Sequence, residues 1–452
     1  MERIVIIGAG MAGIGAAYFL SCRNLKSIVF DKNNYYGGKA ATFKSKNGFI
    51  FDNVPHVLYT KTERLKRLLC ESVNKKYKLF SPYINNYWKG KWIKHPVQVN
   101  LFGLPTNMVI KIINEFSKGK QENAFLANNF KEWLYAVFGE TFSETFPIRY
   151  SDKYHTTEAE NIDLYEIKSR FYHPSFNEVL FGALSRETEN VHYLKNCYYP
   201  TEGGFIRFLD KIIPEILLKL DHKVTSIDPD KKYVVFNNGK IEKYDYLISS
   251  IPLPELIKII TGVPKIINKA SERLAYTSCV LVNLGIKSTN LSKAHWTYFY
   301  DHDIIFSKLT FPHLLSPQNT PEDCESVQAE IYFSKKYKPL YLKPEFFIDP
   351  VIAGLIRCGI IEKENEVIYK EAKLIPYANI IIDFDRKSNL KVVHKYLTDL
   401  NIKYCGRYGD WENKWAEESF LSGESAALSV IKELISNHPG QEDYKRYDKY
   451  YW

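Results

Sequence analysis

No Cys-x-x-Cys pair occurs in this chain. The seven cysteines, Cys22, Cys70, Cys197, Cys279, Cys324, Cys358 and Cys405, are odd in number and scattered. Such spacing supports neither a zinc site nor a disulfide framework and points to a reduced, cytoplasmic setting. No apolar run is long enough to span a bilayer. The apolar N-terminus is broken by glycines and lacks the basic start of a signal peptide. The net charge of +9 is spread over 452 residues without a dense basic run interleaved with aromatics. Nucleic acid is therefore not an expected partner, and the bias favours anionic small molecules. The basic, aromatic tail KRYDKYYW leaves the face of an inner membrane open as a peripheral contact, with a solvated tail as the alternative. His-Glu-x-x-His, Walker A and Gly-x-Ser-x-Gly are all missing, and His192 and His222 have no metal-like spacing, so no metal is expected. Repeats and low-complexity linkers are missing as well.

What the chain does have is ordinary globular composition, with 45% hydrophobic and 25% charged residues, and a high aromatic share of 15%. Surplus tyrosine suits ligand-contacting surfaces, although an AT-rich base composition gives the same excess. The length implies two or three lobes.

The N-terminus reads as a β-α-β unit: a buried strand RIVII, the turn GAGMAG, a small-residue helix, and a strand KSIVFD ending at Asp31. Within it, Gly8-x-Gly10-x-x-Gly13 has the spacing of a dinucleotide fingerprint. The first glycine permits the turn, the second lets a pyrophosphate reach the backbone, and the third lets helix and strand pack closely. Asp31 is placed for a ribose hydroxyl. Tyr36-Gly37-Gly38-Lys39-Ala40 follows. It bends the chain back over a cofactor, with Lys39 set to meet phosphates or, alternatively, to stand solvated in a hairpin. Further along, 62–71 reads as helix, 106–190 as mostly helical, and 199–221 as a loop followed by an amphipathic helix. Strands are expected around an Asn-Gly turn before Lys240, between 277 and 333, and at NIIIDFD (379–385). Helix is expected over 345–371.

On these residues together the chain resembles the FAD-dependent amine oxidase and protoporphyrinogen oxidase superfamily, and within it the UDP-galactopyranose mutase-like branch. The glycine motifs carry the likeness together with FDNVPHVLYT, WIKHPVQVNLFGLP, YYPTEGGF, HKVTSID, IPYANIIID and GRYGDWENKWAEESFLSGESAA. The resemblance implies an α/β protein. Its Rossmann-like FAD-binding domain is built from 1–80, 197–255 and 376–452, with an inserted helical lobe at 81–196 and a sheet-containing substrate domain at 256–375. It implies FAD, needed reduced for mutase-like chemistry, an external reductant such as NADPH or NADH, and a nucleotide-sugar substrate in surface-polysaccharide synthesis. A flavin oxidase or dehydrogenase is the alternative, and a flavin-binding scaffold without turnover is a third reading.

The resemblance also assigns single residues. His56 would lie over the flavin ring, and Arg407, after Gly406, beside its reactive edge. Val224 would touch adenine through its backbone. Glu417, Glu418 and Ser419 would offer helix N-terminal N–H groups to the flavin. Tyr377, Asn413, Lys308, Arg149 and Arg170 are substrate candidates. Each has a structural alternative: a loop histidine, a strand-end ion pair, a plain β position, helix capping, a core tyrosine, or a solvated charge. The segment after GRYG departs from the branch, with Glu412 and Asn413 where an arginine and a tyrosine are expected. An acid beside a diphosphate is repulsive, which leaves the sugar and the nucleotide open.

Overall fold

The computed structural model describes residues 2–119, 124–164, 171–188, 195–288 and 290–438. Arg170, His192 and the tail KRYDKYYW lie outside the described residues. A parallel sheet of five strands organises the first unit, in the order Ile402–Tyr404, Tyr246–Ser249, Ile4–Ile7, Ser27–Phe30, Leu217–Lys219. Its central strand, Ile4–Ile7, is buried on both faces, which is why it reads as an unbroken apolar run. The first helix, Met11–Ser21, packs against the last described helix, Ala416–Asn437. Small residues make this crossing: a Cβ on Gly423 would lie 1.8 Å from the Ala12 carbonyl oxygen, and one on Gly15 2.4 Å from that of Phe420. The two ends of the described chain therefore meet in one layer, as the separated segments implied.

A three-stranded antiparallel sheet, Val224–Asp228, Tyr233–Phe236 and Ile241–Lys243, flanks this unit. Gly239, at φ +78°, makes the expected turn. The second large layer has seven strands, in the order Val367–Ile375, Ser278–Ile286, Glu325–Phe333, Lys308–Thr310, Trp296–Phe299, Ile84–Trp88, Lys91–Lys94. The helices Thr106–Lys118, Phe130–Phe138, Glu140–Thr145, Pro147–Tyr154 and Phe176–Leu184 gather around buried Phe130, Trp133, Phe138, Phe142 and Phe146. Among the described residues no helix is long and apolar enough to cross a membrane.

Several local expectations change. The strand-like stretch WKGKWIKHPVQVN does supply a strand, Lys91–Lys94, but with Ile84–Trp88 it joins the large sheet, through a parallel pairing of Ile84–Trp88 with Trp296–Phe299, so the segment 81–196 is not all helical lobe. No amphipathic helix forms after Gly204. Short 3₁₀ turns at Phe205–Leu209 and Ile213–Glu215 lead into the edge strand Leu217–Lys219. Pro214 lacks the N–H that a continuing helix needs. In 345–371 the α-helix covers only Ile348–Arg357 and ends before Gly359 at φ +68°; the remainder leads into Val367–Ile375. Residues 379–385 form isolated bridges at Ile380 and Asp383 rather than a strand, and helix begins at Phe384.

Candidate functional site

The first glycine turn is built as its spacing requires. Gly8 sits at φ +101°, in the left-handed region, and a Cβ on Gly13 would lie 1.8 Å from the Gly8 carbonyl oxygen. Gly10 differs: a Cβ there would meet nothing within 4 Å, because this residue faces open space at the start of the first helix. The second glycine turn lies directly against the first. The Gly37 N–H donates to the Ala9 carbonyl at 2.7 Å, and the Asn53 side chain donates to the Gly38 carbonyl at 3.0 Å.

From this cradle runs a cavity of about 950 Å³. Gly10, Met11 and Ala12 line one end, with Gly406, Ala416 and Ser419 from the far end of the sequence. The cradle has the donor set for an anionic dinucleotide: open backbone at Gly10, a helix N-terminus with no side-chain cap, and no carboxylate on its wall. Past the cradle, the wall carries Lys39, Lys195, Lys308, Arg407 and Lys414 against a single carboxylate among the described residues, Glu330.

The large sheet supplies the opposite wall through its two-residue period. Trp296 and Tyr298 alternate along one strand with Tyr300 just past its end, Lys308 and Thr310 along the next, then Glu330 and Tyr332, then Cys279 and Leu281; all line the cavity. Register aligns Tyr298, Lys308, Glu330 and Leu281 in one row across four strands. The Lys308 ammonium pairs with Glu330 at 3.0 Å, and the Tyr332 hydroxyl donates to the same carboxylate. Tyr150 and Tyr154, one helical turn apart, close the chamber with Phe142, Phe146 and Phe171.

His56 lines the cavity. Its Nδ1–H donates to the Val54 carbonyl at 2.5 Å, which fixes a neutral tautomer with Nε2 as acceptor. Burial first, and then the charges of Arg407, Lys39 and Lys308, push its pKa down to about 4. Arg407 is held rigidly: Nε and Nη2 donate to the Lys414 carbonyl at 2.9 and 2.7 Å, and Nη1 donates to the Asn379 side chain at 3.0 Å. Lys39 is not a solvated hairpin lysine. Its ammonium donates to the Ala378 carbonyl at 3.1 Å, on the sheet side of the cavity.

The acid after GRYG does not face the cavity. Glu412 is bound to the Lys414 ammonium, which also reaches Asp410 at 3.2 Å. Its repulsion is thus neutralised, and a lysine stands on the wall instead. Asn413 lines the cavity but is pinned to both backbone groups of Ile380. Ser419 lines it as well, whereas the Glu418 carboxylate caps the Trp415 N–H at 2.7 Å. Glu417 is 4% exposed, with Oε2 buried and unbonded, and burial raises its pKa to about 8.

Gly8, Gly13, Gly38, Glu417 and Glu418 lie behind the cavity wall, and Asp31, Val224, Tyr377 and Arg149 lie off it as well. Asp31 spends its carboxylate locally, on the Ala9 N–H at 2.7 Å and on the backbone and side chain of Asn33. Val224 is a buried strand residue. The Tyr377 hydroxyl donates to Glu255 at 2.7 Å, and its ring stacks on Tyr276. Arg149 is exposed and bound to the Glu144 carbonyl and to His302. Sequence reasoning missed Glu330, Lys414, Cys279 and the row of tyrosines. The available signal was alternation: Trp296 and Tyr298 share one strand face, with Tyr300 just past the strand's end.

Comparison with known proteins agrees with this geometry at the level of fold. A family model described as an NAD(P)-binding Rossmann-like domain matches residues 6–71. L-amino-acid oxidase of Mus musculus is 26% identical over 87 residues, 19% of this chain and 14% of that protein. The 4,4'-diapophytoene desaturase (4,4'-diaponeurosporene-forming) of Staphylococcus haemolyticus (strain JCSC1435) is 38% identical over 55 residues, 12% of this chain and 11% of that protein. The chain thus matches only a small part of these relatives' length. A crystal structure of reduced UDP-galactopyranose mutase superposes with a TM-score of 0.88 at 24% identity, covering 96% of this chain and 94% of that one. The chain has that α/β fold, with a Rossmann-like domain assembled from discontinuous segments.

Proposed function

We propose that this chain is an FAD-dependent enzyme of the amine oxidase and protoporphyrinogen oxidase superfamily. In this reading it isomerises a nucleotide-linked sugar in the manner of a UDP-galactopyranose mutase, within surface-polysaccharide synthesis. The observation that carries the reading is one continuous cavity. It joins a glycine cradle suited to a dinucleotide to an aromatic chamber whose cations outnumber its single, already paired carboxylate.

FAD would rest on Gly10, Met11, Ala12, Ala416 and Ser419. When bound and reduced, it supplies a nucleophilic ring nitrogen for an anomeric carbon, with no net redox change. The chain's own residues do the rest. Lys195 and Arg407 offer positive charge to a diphosphate along the wall, Lys308 and Lys414 being engaged by Glu330 and by Asp410 and Glu412, and the tyrosine rows enclose the nucleoside and sugar and exclude water. Neutral His56 offers an acceptor nitrogen rather than another charge. NADPH or NADH would serve as reductant.

The purified protein is expected to carry a flavin chromophore. After dithionite reduction it should convert at least one pyranose sugar in a panel of UDP, dTDP and GDP sugars to its furanose form, read by chromatography. No conversion across the panel, together with oxygen-coupled turnover of an amine or porphyrinogen, would replace this reading with the oxidase alternative.

A further inference from the structure

Three donors converge on one acceptor at the centre of the cavity wall. The Lys39 ammonium, Arg407 Nη1 and the Tyr408 hydroxyl lie 3.1, 3.3 and 2.8 Å from the carbonyl oxygen of Ala378. A carbonyl oxygen has two lone pairs, so the three cannot all be well satisfied. Lys39 also stands 4.1 Å over the Tyr408 ring. Among the described residues it has no carboxylate partner. Protein encloses it on every side but the cavity, and burial and the Arg407 charge pull its proton affinity well below the ordinary lysine range. The neighbouring titratable groups bring no negative charge: burial holds the Cys279 thiol protonated, and His56 is neutral. Two cations side by side in an enclosed wall are unfavourable. A glutamine could brace the same carbonyl without that penalty.

We propose that Lys39 is the counter-cation for negative charge that arrives with the ligand, namely the charge FAD gains on reduction, and not for the cofactor's phosphates. This rests on the flavin reading above. Two electrons and one proton added to the oxidised ring leave it with one negative charge, and dithionite supplies the electrons. Position favours the ring over the phosphates. Although the Lys39 turn packs on Gly10, its ammonium turns to the Ala378 carbonyl, which Arg407 also reaches, rather than being bonded to the cradle.

The test compares wild-type holoprotein with Lys39→Gln, which keeps a donor for Ala378 but no charge, and with Lys39→Arg, which keeps the charge. Dye-equilibrated redox titration reads the preference for reduced over oxidised FAD. That preference should fall about tenfold or more in Lys39→Gln and be largely retained in Lys39→Arg. Lys39→Met gives the same readout should the glutamine variant fail to fold. An unchanged preference would overturn the inference and leave Lys39 a brace. Equal weakening of both redox forms would overturn it in favour of the phosphates. Wild-type protein without flavin would instead overturn the functional reading itself, so the two failures are distinguishable.

Discussion

Glu417, buried next to the cavity-lining Ala416, and His56, on the cavity wall, carry opposite pH signatures. Burial raises the Glu417 pKa to about 8, and Oε2 finds no hydrogen bond. Between the ordinary carboxylate range and that value the native state holds more protons than the unfolded chain, so this residue's contribution to stability falls as pH rises. His56 runs the other way. Its pKa of about 4 lies below the ordinary 6.5, so the unfolded chain holds more protons in between and stability is lost as pH falls through that window. Glu417→Gln removes only the first effect. In urea titrations the variant should gain roughly 4 kcal/mol over wild type at pH 8.5 and under about 1 kcal/mol at pH 5. An equal effect at both pH values would show that Glu417 is not protonated in the native protein.

At the scale of elements, the cofactor unit was legible and the substrate wall was not, for physical reasons. Glycine spacing reports backbone geometry directly: Gly8 needs a positive φ and Gly13 needs the absence of a Cβ, so GAGMAG announces its turn. Asp31 and Lys39 were legible as positions but not as partners, because neither the Ala9 N–H nor the Ala378 carbonyl is encoded locally. The row Tyr298, Lys308, Glu330 and Leu281 depends on register among strands far apart in sequence, which no local pattern reveals. The amphipathic helix read after the loop in 199–221 failed because Pro214 lacks the N–H that a continuing helix needs. The crossing of Met11–Ser21 with Ala416–Asn437 shows the opposite case, since the small residues of SFLSGESAA anticipate close packing. Gly423 is the tightest point of that crossing, where a Cβ would lie 1.8 Å from backbone that cannot rotate away. Gly423→Ala should therefore cost about 2–3 kcal/mol in chemical denaturation, although alanine is otherwise the better helix former. A gain in stability would mean that the two helices separate at little cost.

At the scale of the whole molecule, the fold makes one site from distant stretches of chain. The strand Ile4–Ile7 pairs with Tyr246–Ser249, which pairs with Ile402–Tyr404, and the next turn brings Gly406, Arg407 and Ser419 back to Gly10. The large sheet divides its faces by alternation. Cys279, Leu281, Glu330 and Tyr332 face the cavity, while Val280, Val282, Ala329 and Ile331 pack in a separate core with Val351, Ile352 and Leu355. Ligand binding should therefore protect residues far apart in sequence and leave nearby layers untouched. In hydrogen exchange, protein stripped of its cofactor and then reloaded with FAD should slow at 8–20 and at 406–420 together. The helix Ile348–Arg357, behind the sheet, should exchange at an unchanged rate and serve as the internal control. Protection confined to the N-terminal stretch would mean that the returning segment closes the sheet but does not touch the ligand, and Arg407 and Ser419 would then lose their place in the site.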